Sequence, residues 1–198
     1  MFYDFVEIGT CDFDTEIQKA SDETVGLSVE ALQIYLDRLP NKANVKKFCA
    51  AITHGRLTDD IEIFYVPRTQ AMEHLFKNKK WIFGCNSISK PHRQHLAEDV
   101  KPHFTSSRTK LLNVSELISE FDVSGIGLLK IDTEGHDNTI LAGFIELFDT
   151  SASLKPRTII FETNSLSPTA ASNKTIAALE ARGYRVVSRG LNTTLVNQ

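Results

Sequence analysis

The sequence predicts an α/β fold built on a doubly wound, mainly parallel sheet that closes with a terminal antiparallel hairpin. Three observations carry this expectation. Short apolar segments at 5–9, 24–30, 125–132 and 157–162 alternate with helical stretches. Each segment runs into a carboxylate or a glycine turn, at Glu7-Ile8-Gly9, Val29-Glu30, Ile131-Asp132 and Phe161-Glu162. The region 184–196 holds two strands turning at Gly190-Leu191-Asn192. At 198 residues the chain fits one domain, 1–198, long enough to bury a core without disulfides or metal.

The elements follow in order. Residues 5–9 read as a buried strand, and Asp14-Thr15-Glu16-Ile17 offers a capped entry to a short helix. A second strand covers 24–30, and 31–39 is a helical stretch stopped by Pro40, which has no N–H to extend the ladder. Residues 45–52 make a third strand, and 61–66 alternates like an edge strand before Pro67, with 54–60 as the connecting loop. From about 67 to 110 periodicity is weak and Pro91 and Pro102 interrupt it. This stretch is read as an irregular insertion with one helical turn near 70–76. Beyond it, Ser115 caps a helix at 116–121, 125–132 forms a strand and 138–148 an apolar helix. A strand at 157–162, a helix at 172–182 closed by Gly183 and the terminal hairpin complete the chain. Ligands of such sheets bind at the carboxyl ends of strands near the switch in strand order, where Gly9, Glu30 and Asp132 are expected to converge.

Composition narrows the function classes. Hydrophobic residues make up 41% and charged residues 24%, and no apolar run approaches the roughly 20 residues of a spanning helix, so membrane insertion is disfavoured. Met1-Phe2-Tyr3-Asp4-Phe5 lacks the basic start and apolar segment of a secretory signal, which makes the cytoplasm the expected location. Cys11, Cys49 and Cys85 are odd in number and widely spaced, suggesting neither a disulfide framework nor a zinc site. Net charge is -3, yet the window from Arg68 to Lys110 holds nine Lys or Arg against Glu73, Glu98 and Asp99. Such a window suits an anionic acceptor or a solvated loop.

The strand tips define the chemistry. Gly9 lets the chain turn tightly and brings backbone N–H groups near a ligand. Glu30, ending the second strand, is placed to accept hydrogen bonds from both ribose hydroxyls. The first turn has Gly9 alone where a dinucleotide fingerprint needs three glycines, so a pyrophosphate cofactor is disfavoured. The acidic surroundings of Glu7, Asp12 and Glu30 suit a nucleoside with a positive centre, and S-adenosylmethionine is such a ligand. Lys130-Ile131-Asp132-Thr133-Glu134-Gly135-His136 forms a dense ionisable cluster at another strand end.

These segments resemble the FkbM family of S-adenosylmethionine-dependent methyltransferases. The likeness is carried by Val6-Glu7-Ile8-Gly9-Thr10-Cys11-Asp12-Phe13-Asp14-Thr15, Gly26-Leu27-Ser28-Val29-Glu30 and the run from Leu128 to Asp137, with support from Ile160-Phe161-Glu162 and Gly183-Tyr184. One departure is Phe13, where the family often has a second glycine. The resemblance implies a Rossmann-like class I methyltransferase fold with a mostly parallel seven-stranded sheet, S-adenosylmethionine as cofactor, and O-methylation of a hydroxyl on a sugar, glycan or other small acceptor. Glu7, Gly9, Asp12, Glu30 and Asp132 are then the expected cofactor-binding residues, and Asp132, Lys130, Glu134 and His136 the expected catalytic ones. Asp132 is expected beside the methyl group, with Lys130, Glu134 or His136 polarising or deprotonating the acceptor; His136 has the right intrinsic pKa for a base. Glu162 could face the same crevice or orient Lys130. Acceptor choice is assigned to the insertion around Trp81, Asn86 and His92.

Two rival readings stand beside this one. Asp132, Glu134, Glu162 and His136 could hold a divalent metal in a hydrolase or metal-assisted methyltransferase. No self-standing metal signature is present, and the His92-x-x-His95 pair has no acidic partner in sequence reach, so no metal is expected. The other rival is an inactive nucleoside-binding module that recognises an anionic partner through the basic window. Nucleic acid is disfavoured as a partner because the basic and aromatic residues do not interleave as in single-strand readers.

Overall fold

The first strand, β1 (Phe2–Ile8), is flanked by parallel partners on both sides and has helices on both faces. A computed structural model describes residues 1–55, 58–88, 99–164 and 167–198. After β1 come α1 (Glu16–Lys19), β2 (Gly26–Glu30), α2 (Gln33–Leu36), β3 (Val45–Cys49), β4 (Ala51–Thr53), β5 (Asp60–Tyr65) and α3 (Gln70–Leu75). The rest are β6 (Thr105–Asn113), α4 (Val114–Glu120), β7 (Gly125–Ile131), α5 (Asp137–Thr150), β8 (Thr158–Glu162), α6 (Thr169–Glu180), β9 (Tyr184–Arg189) and β10 (Asn192–Asn197).

The main sheet has seven strands in the order β3-β2-β1-β7-β8-β10-β9. All neighbours pair in parallel as far as β8, while β10 is antiparallel to both β8 and β9. This is the Rossmann-like α/β sheet with a terminal hairpin that the sequence predicts. The order reverses between β1 and β7, so the tips of β1, β2 and β7 open onto one crevice. Strand alternation sends Val6, Ile8, Leu129 and Ile131 into the larger core with Leu117, Ile140, Phe144 and Leu179 from α4, α5 and α6. Phe5 faces the other way and packs with Ile17 of α1 and Leu36 of α2.

Three expected elements are corrected. The strand at 45–52 is two strands: Ala50 still donates its N–H to the Glu30 carbonyl at 3.0 Å, and the chain then leaves the main sheet as β4. β4 pairs in parallel with β6, which pairs antiparallel with β5, forming a second, three-stranded sheet. The end of the expected irregular insertion is therefore a nine-residue strand, β6. Its exposed half, Thr105-Ser106-Ser107-Arg108, carries no apolar alternation to reveal it. Finally, α4 is capped by Asn113 rather than Ser115: Asn113 Oδ1 accepts the Glu116 N–H at 2.9 Å and Glu116 Oε2 accepts the Asn113 N–H at 2.8 Å, a reciprocal capping box. The three cysteines carry free thiols, and no described helix is long and apolar enough to cross a membrane.

Candidate active site

A cavity of roughly 530 Å³, open mouth included, lies at the switch point. Its floor is Ile8, Gly9 and Cys11 from the β1 tip and Glu30 and Ala31 from the β2 tip. Ala50, Ala51 and Ile52 at the β3–β4 break form one wall, and Gly84, Asn86, Ser87 and Ile88 from the insertion form its cover. Asp132, Thr133, Glu134 and His136 line the remaining side.

Gly9 is required by its place. Its φ is +83°, a left-handed conformation, and a Cβ there would collide with the Asp132 carbonyl. Its N–H donates to the Val29 carbonyl at 2.9 Å, and the Asp132 N–H donates to the Ile8 carbonyl at 2.9 Å. The β1, β2 and β7 tips are thus locked edge to edge around one glycine.

Glu30 is 3% exposed. Its Oε2 accepts the Cys11 N–H at 2.8 Å and its Oε1 the Leu32 N–H at 3.0 Å. Burial pushes its carboxyl up to about 7, against the pull of these backbone N–H groups. The Ala31 N–H also bonds this carboxylate, which leaves lone-pair capacity for a further hydrogen bond from the cavity. Burial and the carboxylates of Glu30 and Asp12 push the neighbouring Cys11 thiol up, so it is an inert wall group rather than a nucleophile.

The β7 tip is a tight turn with Glu134 at φ 57° and Gly135 at φ 99°. Its organiser is Asp137, which is 0% exposed and opens α5 one residue before the helix expected at 138–148. Asp137 Oδ1 accepts the Thr133 N–H at 2.9 Å and the Thr133 hydroxyl at 2.6 Å, while Oδ2 accepts the Glu162 N–H at 2.8 Å. One buried carboxyl therefore ties the Asp132–Glu134 turn to the end of β8. Burial raises it to about 7. An acidic first residue on an apolar helix was the available signal; its burial was not readable. His136 Nε2 lies 3.1 Å from Thr53 Oγ1 of β4, and burial lowers the imidazole pKa, favouring the neutral ring.

Glu162 reaches the same side. Asp132, Glu134 and Glu162 offer oxygen atoms that lie within 4.8 Å of one another, a grouping that a divalent cation could use. The Glu162 carboxylate also accepts from the Asn164 amide.

Three expected site residues lie elsewhere. Lys130 and Glu7 stand side by side in the β1–β7 register, on the face that carries Phe5 and α1, so neither lines the cavity. Lys130 Nζ is 3.0 Å from Glu7 Oε1 and donates to the Asp14 carbonyl at 2.6 Å, which removes it from the acceptor and from Glu162. Burial raises the Glu7 carboxyl to about 7, with Lys130 pulling it down. Asp12 is held by Arg68 and, at 3.6 Å, by Arg38, the ion pair having drawn its carboxylate out of the cavity wall. Arg68 belongs to the insertion, and nothing in sequence spacing paired it with Asp12. Of the residues expected to choose the acceptor, Asn86 lines the cavity, Trp81 is 54% exposed outside it, and His92 falls outside the described residues, as does His95.

A Rossmann-like α/β domain with a candidate ligand site at its switch point is the class that this strand order and these three tips define. The family model of the methyltransferase FkbM domain matches residues 7–186, and the chain belongs to that family. Its activity class is accordingly methyl transfer. No curated protein matches the chain.

Proposed function

We propose that the protein transfers a methyl group from S-adenosylmethionine to a hydroxyl of a small-molecule or glycan acceptor. The observation that carries this reading is the convergence of Gly9, Glu30 and Asp132 on one cavity. The cavity fits the cofactor's chemistry. Glu30 offers acceptors for ribose hydroxyls, and the absent Cβ at Gly9 lets the Asp132 carbonyl close against it, which brings the β1 and β7 tips together at the cavity. Asn86 Oδ1 is a buried acceptor on the cavity's cover with no partner among the described residues, suited to the exocyclic amine of adenine.

When bound, S-adenosylmethionine supplies an electrophilic methyl group on a sulfonium. The chain's own residues do the rest. Asp132 and Glu134 orient the acceptor by accepting hydrogen bonds from hydroxyls beside the reacting one, and the neutral His136 ring, fixed against Thr53, takes the proton of the reacting hydroxyl. Apolar Ile52, Ile63 and Ile88 limit water around the reacting oxygen. Lys130 takes no part at the acceptor.

Calorimetry with S-adenosylhomocysteine, followed by transfer of labelled methyl to a panel of hydroxyl acceptors, tests the reading. Binding and labelled ether products are expected. Binding without transfer to any acceptor favours the inactive nucleoside-binding module, and no binding removes the reading altogether. The clustering of Asp132, Glu134 and Glu162 favours one variant, in which a divalent cation polarises the acceptor oxygen. Activity that disappears with a chelator and returns with magnesium supports that variant; activity that survives dismisses it.

A further inference from the structure

Lys130 is conspicuous in sequence and yet serves no wall of the cavity. We propose that Lys130 is a positioning residue for cofactor binding: its buried ammonium holds the Asp14 carbonyl and keeps residues 9–15 in the conformation that presents Gly9 and Cys11 to the cavity. This rests on the S-adenosylmethionine reading above.

Lys130 is 9% exposed, and its Nζ meets three oxygens: the Asp14 carbonyl at 2.6 Å, Glu7 Oε1 at 3.0 Å and Glu16 Oε1 at 3.7 Å. Glu7 Oε2 in turn accepts the Glu16 N–H at 2.9 Å, so the pair also fixes the entry to α1. A buried lysine–glutamate pair is a poor source of stability, because two apolar residues of similar size often serve as well. What an apolar pair lacks is a donor for the Asp14 carbonyl.

The segment needs such a hold. Cys11 has φ 47° and Asp14 φ 51°, both in the left-handed region that L-residues enter at a cost. The first of these is fixed from the cavity side, where the Cys11 N–H is bound by Glu30. Arg68 and Arg38 grip Asp12 next door. At Asp14 the carboxylate is paired, among the described residues, with the half-exposed Lys19 at 3.0 Å, where water screens the pair. The backbone there is held from below, by Lys130. Without that donor Asp14 is drawn toward the right-handed region, and in so short a loop the change pulls against the hydrogen bond that holds the Cys11 N–H on Glu30.

The test compares the wild type with Lys130→Met and Glu7→Gln/Lys130→Met, at a temperature where circular dichroism shows each folded. Three quantities are read: amide exchange across 10–15 in the free protein, S-adenosylhomocysteine affinity by calorimetry, and KM and kcat for S-adenosylmethionine. Lys130→Met is expected to raise exchange across 10–15 above that of the β-sheet. It should also weaken S-adenosylhomocysteine binding and raise KM by about tenfold, with kcat little changed. The double variant removes the unpaired Glu7 charge, so its melting temperature should recover while exchange and affinity do not. Wild-type exchange and affinity in Lys130→Met would overturn the proposal. So would recovery of affinity together with melting temperature in the double variant, which would reduce Lys130 to a neutralising charge, and so would a collapse of kcat at unchanged affinity. If the wild type itself fails to bind S-adenosylhomocysteine, the methyl-transfer reading falls, while the exchange arm still decides whether Lys130 holds the loop.

Discussion

Asp132→Asn leaves the size and backbone bonds of residue 132 intact, removes its charge and turns one acceptor oxygen into an amide donor. Turnover should fall by about a hundredfold or more, the usual scale for losing a group that orients the acceptor. S-adenosylhomocysteine affinity should persist in calorimetry, and a fully active variant would take Asp132 out of the chemistry. Glu30 makes the complementary case on the binding side. Its carboxyl is raised to about 7, and on the proposed reading ribose hydroxyls donate to the ionised form, which links binding to loss of that proton. Affinity should therefore rise as pH goes from 6 to 8 and level off above, and Glu30→Gln should flatten the curve at weaker affinity; calorimetry at several pH values reads both. At this scale the sequence was informative where a residue's place follows from strand register alone, as for Gly9, Glu30 and Asp132. It was silent where place depends on a distant partner: Lys130 was drawn away by Glu7 and Asp14, Asp12 by Arg68. Ionisable type announces that a side chain needs a partner, not which partner it finds.

Asp137 shows how one side chain joins elements. It supplies the acceptors that hold the β7 turn to the β8 tip, and Asp137→Asn would place an amide N–H where Oδ2 accepts the Glu162 N–H. Two buried donors then face each other, a defect worth roughly 2 kcal/mol. Urea denaturation should show that loss, and turnover should drop further than stability explains, because Asp132 and Glu134 ride on the turn. Unchanged turnover in a folded variant would separate the tie from catalysis. Helix and strand types were legible across most of the chain, since α5 and β7 are long and strongly patterned. Boundaries and breaks were less so. The β3–β4 break sits in an uninterrupted run, Phe48-Cys49-Ala50-Ala51-Ile52, that reads as one strand because both halves are apolar. Only the destination of the chain, β6 rather than β2, separates them.

Over the whole molecule, the buried carboxyls set a pH signature. Glu7, Glu30 and Asp137 are all raised by burial above their ordinary values. Between those ordinary values and about 7 the folded protein binds more protons than the unfolded chain, so stability declines as pH rises through that interval and is level above it. His136, with its lowered pKa, acts in the opposite sense below its ordinary value, against the three raised carboxyls of Glu7, Glu30 and Asp137. The melting temperature should accordingly fall between pH 5 and pH 7.5, and calorimetric scans across that range check it. A rising melting temperature would mean that the partners of these carboxyls outweigh their burial.

The break at Ala50 has a consequence of another kind. The chain leaves the main sheet there and returns through β6 into α4, so the small sheet and its covering segment hang from two nearby strand ends, β4 and β6, which pair with each other at Thr53 and Asn113. That geometry makes 54–112 a cassette. Its exchange for the matching segment of another family member should yield a chimera that still takes S-adenosylhomocysteine on Gly9 and Glu30 while inheriting the donor's acceptor preference. Diversification within such a family would then proceed by replacing the cover of the site while its floor is left alone.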